Sequence, residues 1–260
     1  MGQTQPTVLI TGGTRGLGLA VAKTFAARRH RLVLTYRSDH ENAQRVVKEF
    51  STQSIECHAI PVDLSEENAS ELLFEQVRAI TPTLSVYIHN AAATAFKNLL
   101  ELKSHHIRKT YHITVNSFIL NVQQAVPMMP NGGAIITVSG MDTKEAVPFH
   151  GLLASAKASL EMLTAYFAHE LASRGIRVNG VNPWFLDTDS TQKYLGPLHE
   201  RATNYLAKIT ASKRLATLDD VATVIDFLSS EQSRWIVGQT IVVDGGQTFF
   251  SPTSLVMERP

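Results

Sequence analysis

The chain of 260 residues is poor in cysteine, poor in tryptophan and almost free of net charge. Cys57 is the only thiol, which excludes an intramolecular disulfide and a zinc site built from cysteines. A formal charge of +1, with 24 basic and 23 acidic side chains interspersed, leaves no basic stripe for nucleic acid and no polybasic membrane patch. No apolar run approaches the roughly 20 residues that a bilayer span requires. The first residues, Met1 to Pro6, lack the basic segment and apolar core of a secretory leader, so the expected compartment is the cytoplasm. Pro6 also stands where a myristoylation signal carries Ser or Thr. His105, His106 and His112 come without carboxylates at metal-ligand spacing, and no metal is expected. Without a Pro/Gly/Ser-rich break, a low-complexity run or a short repeat, one domain over residues 1–260 is the expectation.

What is present is an alternation of apolar runs and amphipathic stretches, which favours parallel βαβ units over segregated layers. Strands are predicted at residues 7–10, 31–36, 55–62, 84–89, 134–139, 177–182 and 240–244. Helices are predicted at 18–28, 41–53, 66–80, 103–128, 152–173 and 218–229. The predicted class is α/β, a Rossmann-like, doubly wound parallel sheet of about seven strands with helices on both faces.

The stretch V-L-I-T-G-G-T-R-G-L-G at residues 8–18 organises the rest. Gly12, Gly16 and Gly18 remove the Cβ atoms that would block a tight turn, contact with a pyrophosphate and close packing of helix on strand. Thr14, Arg15 and Leu17 complete a cradle whose N–H groups and helix dipole attract an anion. Ligands of open parallel sheets lie outside the carboxyl ends of the strands, so those ends carry the chemistry. The second strand ends in Tyr36-Arg37-Ser38, without a carboxylate for a ribose 2'-hydroxyl. Arg37, joined by Arg15, suits a 2'-phosphate, and the pair favours NADP(H) over NAD(H).

The third predicted strand ends in Val62-Asp63-Leu64 and the fourth in His89-Asn90-Ala91-Ala92. With the glycine turn, these resemble the short-chain dehydrogenase/reductase family, which carries T-G-x-x-x-G-x-G, an Asp after the third strand and N-A-G after the fourth. Thr11 to Gly18 matches fully. The resemblance implies that Asp63, with Leu64 beside it, contacts the adenine amine, and that Asn90 and Ala91 steady the sheet beside the cofactor. Ala92 replaces the usual glycine. Asn116 resembles the asparagine that holds a water in the family's proton relay. Residues Pro183 to Thr188, with Leu186 among them, resemble the P-G-x-x-x-T loop that binds the nicotinamide carboxamide, with Trp184 in place of glycine. The ending V-D-G-G at residues 243–246 resembles the family's last strand.

The catalytic pattern departs from the family. Lys157 fits the lysine that binds the nicotinamide ribose and lowers the pKa of a catalytic tyrosine, but the position four residues earlier is Leu153. The usual serine aligns with Gly140, one residue beyond Ser139. The sequence is similar also to the type III enoyl-acyl-carrier-protein reductases, in which the tyrosine stands seven residues before the lysine, and here that position is His150. Seven residues are two helical turns, so His150 and Lys157 can share one face. An ammonium and a helix amino terminus both disfavour imidazolium, so His150 is expected to be neutral and to polarise a carbonyl through an N–H. A surface histidine is the plainer alternative. Ser139, Asp142 and Lys144 are also expected near the mouth, and Tyr194 and Tyr205 fall in a substrate lid expected at 189–212.

The expected function is reduction of an enoyl thioester, a keto thioester or a related conjugated carbonyl by hydride transfer from NADPH. A repurposed non-redox enzyme, such as a dehydratase or cyclase, and a non-catalytic NADPH-binding regulatory partner are the alternatives. Trp184, Phe185 and the lid suggest an apolar pocket. The resemblance implies a homotetramer or homodimer built on helices 103–128 and 152–173. Residues 251–260 are expected to form a tail or an interface arm.

Overall fold

The computed structural model describes residues 5–249. Strands β1 (Thr7–Ile10), β2 (Arg31–Tyr36), β3 (Cys57–Pro61), β4 (Val86–His89), β5 (Gly133–Val138), β6 (Ile176–Pro183) and β7 (Thr240–Val243) pair in parallel, in the order β3-β2-β1-β4-β5-β6-β7. Successive side chains on a strand point to opposite faces, and both faces of this sheet are covered. Thus Val8, Ile10, Leu32, Leu34, Val86 and Ile88 enter one apolar layer, while Leu9, Val33 and Tyr87 enter the other. The register sets Ile10 beside Leu34 on one side and Ile88 on the other.

Helices α1 (Gly16–Ala27), α2 (His40–Thr52), α3 (Ala69–Ile80), α4 (Ser104–Tyr111), α5 (Ser117–Ala125), α6 (Gly151–Leu171), α7 (Asp189–Leu195), α8 (His199–Ile209) and α9 (Leu218–Ser229) occupy the connections. The first layer takes Val21 and Phe25 of α1, Val46 and Phe50 of α2, and Val221 and Ile225 of α9. The second takes Phe74 of α3, Phe118 of α5 and Leu160 of α6. The order of strands reverses between β1 and β4, where loops from the two sides part and leave a cleft.

The doubly wound α/β class and its seven strands agree with the pattern of the sequence; the differences lie at the ends and in two helical regions. The helix expected over 103–128 is interrupted: a π turn spans His112–Asn116, and a 3-10 turn over Val126–Met128 follows α5. Pro127 lacks an N–H and ends the α-helical ladder. The wide turn exposes the Thr114 carbonyl to a side-chain donor, the Nε2–H of His89 at 3.0 Å. The third helix begins at Ala69 rather than 66, because the Asp63 carboxylate first closes a turn on the Ser65 N–H at 2.9 Å. Between β6 and α9, where no sheet was expected, lie α7 and α8, with a bridge that pairs Leu186 before α7 with Ala216 after α8. No helix among the described residues is long and apolar enough to cross a membrane. The tail expected at 251–260 lies outside the described residues.

Candidate active site

The glycine turn is held by one hydroxyl. Thr11 Oγ1 donates to the Ile88 carbonyl at 3.4 Å and accepts the N–H groups of Asn90 and Ala91, each at 3.0 Å. Asn90 returns the tie, its side-chain amide donating to the Thr11 and Gly12 carbonyls at 3.0 and 3.3 Å. The tips of β1 and β4 are thereby locked together beside the cleft. A Cβ at Gly18 would stand 2.2 Å from the Gly12 carbonyl oxygen, so only glycine lets α1 approach the turn this closely. Gly16 has a φ of +52° and open space before it. On the far side, Asn42 of α2 donates to the Thr14 carbonyl at 2.9 Å, and Thr35 Oγ1 accepts the Gly12 N–H at 3.1 Å.

A cleft of about 560 Å³ opens over this turn. Gly12, Thr14, Arg15, Gly16 and Leu17 line it at one side, and Arg37 and Ser38 after β2 close one end. Asp63 and Leu64 after β3, Asn90, Ala91 and Ala92 after β4, and Thr188 before α7 complete the ring of expected residues. Gly18 lies buried beneath, while Pro183 ends β6 and Leu186 packs against the first apolar layer; neither lines the cleft. Arg15 and Arg37 are exposed. Partial burial raises the Asp63 carboxyl, but hydrogen bonds from Ser65 and the charges of Lys109 and Arg37 outweigh it and hold it below its ordinary range. Asp39 also lines the cleft, a carboxylate the reading of the second strand's end overlooked. Its Oδ1 is committed to the Asn42 N–H at 3.1 Å as the cap of α2.

The expected catalytic residues divide into three groups. Lys157 is buried in α6, and its ammonium donates to the Val138 carbonyl at the end of β5. Burial pulls its pKa down to about 8, against the opposing attraction of Asp142 and Glu161. Beside it, fully buried His89 accepts the Tyr87 hydroxyl on Nδ1 at 2.9 Å and donates from Nε2 to Thr114, while Asn121 donates to the Tyr87 oxygen at 3.0 Å. Burial and the Lys157 charge drive the His89 pKa down to about 3, so this ring stays neutral. His89, Tyr87 and Asn121 escaped the sequence reading because only the fold stacks them. Asn116 is exposed and does not line the cleft; Thr114 is the buried residue of the wide turn, its carbonyl held by His89.

Ser139 belongs to a second group centred on Glu161, one turn beyond Lys157. The Glu161 carboxylate accepts Ser139 Oγ at 2.6 Å, Thr143 Oγ1 at 2.9 Å, Asn182 Nδ2 at 2.6 Å and Lys144 Nζ at 3.0 Å. Partial burial raises this carboxyl, but its donors, Ser139 first, bring it below its ordinary range. The Ser139 hydroxyl hydrogen is thus given to Glu161.

The third group holds His150, the residue that immediately precedes α6. Its Nδ1 lies 3.2 Å from Asp142 Oδ2, and its Nε2 is buried without a hydrogen-bond partner among the described residues. The ring packs against Phe96 and Tyr194, with centroids 5.0 and 4.7 Å away. Tyr194, from α7, donates its hydroxyl to the Pro148 carbonyl at 2.9 Å, so α7 closes one side of this aromatic box. Tyr205 is exposed. Leu153 and Phe96 line the cleft, which makes it apolar at the position where the family pattern has a tyrosine. Trp184 instead borders a smaller cavity of about 260 Å³ with Thr210, Arg214 and Gly245, away from the cleft.

The family model for Enoyl-(Acyl carrier protein) reductase matches residues 12–248. The chain is 34% identical over 244 residues to 1-cyclohexenylcarbonyl-CoA reductase of Streptomyces collinus, covering 94% of this chain and 87% of that protein. It is 30% identical over 240 residues to the 3-oxoacyl-(acyl-carrier-protein) reductase FabG of Staphylococcus aureus (strain Mu50), covering 92% and 96%. A short chain dehydrogenase from Burkholderia cenocepacia J2315, solved in complex with NADP, superposes with a TM-score of 0.86 at 28% identity, over 95% of this chain and all of that one.

Proposed function

The chain belongs to the short-chain dehydrogenase/reductase family, and from that premise we propose that it reduces the double bond of an enoyl thioester or a related conjugated carbonyl with NADPH. It is an oxidoreductase of that family, and its cofactor is NADP(H). The cleft fits that cofactor: Gly18 lets the turn close, Gly16 leaves room above it, and Arg15 and Arg37 stand exposed at its rim for a 2'-phosphate. Lys157 would hold the nicotinamide ribose. When bound, the cofactor supplies the hydride.

The observation that carries the enoyl reading is Leu153, an apolar side chain lining the cleft where a ketone reductase needs an acid. A ketone becomes an alkoxide and needs a proton at once. In a conjugated thioester the β-carbon accepts hydride, charge spreads onto the carbonyl oxygen as an enolate, and a positioned donor stabilises it. His150 is the group proposed to give the proton, so that enoyl thioester, NADPH and one proton yield saturated thioester and NADP+. Residues 189–212, which contribute Tyr194 to the aromatic box, are proposed as the lid. The cytoplasm is the proposed compartment, in keeping with a single thiol.

NADPH consumption over a panel of enoyl and keto thioesters tests this reading. Turnover of enoyl substrates at least about tenfold above their keto counterparts is expected; turnover of neither would favour the non-redox or regulatory alternatives. The same assay run with NADH reads the cofactor preference. Replacing Arg37→Ala is expected to lower the NADPH-over-NADH preference about tenfold by removing a charge-assisted phosphate contact. An unchanged preference would remove Arg37 from the cofactor site.

A homodimer or homotetramer through α4, α5 and α6 is proposed on the exposed apolar side chains of α4 and α6. Met162 and Tyr166 of α6 are 61% and 64% exposed, and Ile107 of α4 is 44% exposed. Light scattering at micromolar concentration is expected to give at least twice the chain mass, and a monomer would count against this interface.

A further inference from the structure

His150 and Asp142 form a pair whose geometry fixes which nitrogen carries which proton. Asp142 sits in the turn Met141–Thr143 after β5, its side chain 8% exposed, and its Oδ2 faces His150 Nδ1 at 3.2 Å. A carboxylate only accepts, so Nδ1 must hold a hydrogen. The neutral ring then has a bare lone pair at Nε2, the nitrogen buried without a partner among the described residues in a ring packed against Phe96 and Tyr194. That nitrogen can donate only when the ring is imidazolium. This reverses the expectation of a neutral His150 donating through an N–H, since that expectation counted Lys157 and the helix terminus but not the carboxylate.

We infer that Asp142 is a positioning residue that makes His150 a proton donor in its imidazolium form. The inference rests on the reading of His150 as the donor. In the step, the bond between Nε2 and its proton breaks and the proton goes to the enolate formed by hydride addition. The electron pair stays on Nε2, the ring becomes neutral with Nδ1–H still on Asp142, and solvent returns the proton. The groups packed around the pair are few. Lys157, two turns along the same helix, acts on Asp142; Tyr194 comes from α7 and Phe96 from the loop after β4. Glu161 and Lys144 neutralise each other in the adjoining cluster.

The parent protein supplies a direct test. Nitrogen NMR of the ring, assigned by its loss in His150→Phe, is expected to show hydrogen on Nδ1 at alkaline pH; hydrogen on Nε2 would overturn the inference. In Asp142→Asn, the alkaline limb of kcat for enoyl reduction should move toward acid, with KM for NADPH within about twofold of the parent. Asp142→Glu, which keeps the charge, should hold the limb in place even where kcat falls. A merely structural role would lower kcat at every pH and leave the limb unmoved, which overturns the inference. If instead His150→Phe turns over like the parent, the donor reading itself fails. A dead His150→Phe with an unmoved limb in Asp142→Asn removes only the role of Asp142.

Discussion

His150→Phe is expected to lower kcat for enoyl reduction by about 10², the usual weight of one positioned proton-transfer group, while NADPH affinity stays within about twofold. The selectivity follows from where the ring sits. Its contacts are Asp142, Phe96 and Tyr194; of these Phe96 lines the cleft, and none belongs to the glycine turn or to the rim at Arg15 and Arg37. Phenylalanine keeps the aromatic packing and removes only the nitrogens. It also leaves the buried Asp142 carboxylate without its hydrogen-bonding ring, which costs about 1–3 kcal/mol, so circular dichroism should accompany the assay. Stopped-flow measurement of NADPH oxidation separates the outcomes. A drop in kcat alone supports the donor role, and parent-like turnover removes it.

Lys157→Ala is expected to damage both binding and turnover. The ammonium is buried, gives one hydrogen bond to the Val138 carbonyl, and is the cation between Asp142 and Glu161. Its loss takes charge-assisted contacts from the ribose, about 1.5–3 kcal/mol or roughly 10- to 100-fold in NADPH affinity. It also leaves two carboxylates beside the reacting end, so kcat falls as well. The parent should show a matching pH signature. The folded lysine loses its proton near pH 8, so NADPH affinity should weaken as pH rises through 8. Stability responds in the opposite direction. Between about 8 and 10.5 the unfolded chain still holds the proton that the folded chain has lost, so this lysine's contribution to unfolding free energy rises with pH. Fluorescence titration and thermal melts from pH 7 to 10 would show the two trends diverging in the parent and absent in Lys157→Ala. Flat cofactor affinity across that range would refute the assignment of the ammonium to the ribose.

The sheet was legible because strands buried on both faces read as short continuous apolar runs, as Val8-Leu9-Ile10 and Val86-Tyr87-Ile88 show, with amphipathic stretches between them. The glycine turn was legible for a similar reason. Gly18 is required by a contact to its own neighbour in sequence, the Gly12 carbonyl, and such short-range necessities leave a spacing. The catalytic end is different. Asp142 meets His150 across a loop, Ser139 meets Glu161 across 22 residues, and His89 meets Thr114 across 25. Each pairing depends on where two elements come to rest, and no periodicity encodes it. The break in the helix after β4 carried neither glycine nor an early proline to announce it, and Trp184 read as cleft wall although its strand end turns it to a separate cavity.

The wide turn at His112–Asn116 has a consequence for how this protein tolerates change. One surplus residue in a helix advances everything after it by about 100° of rotation, so α4 and α5 are out of phase with each other. Phe118 and Val122 face the second apolar layer because of that offset. Removing a single residue from the turn would restore a continuous helix and swing those side chains out of the layer, whereas point substitutions on α4 need not be felt by α5 at all. The turn works as a rotary joint: α4 can change in sequence while α5 stays locked in register against the sheet.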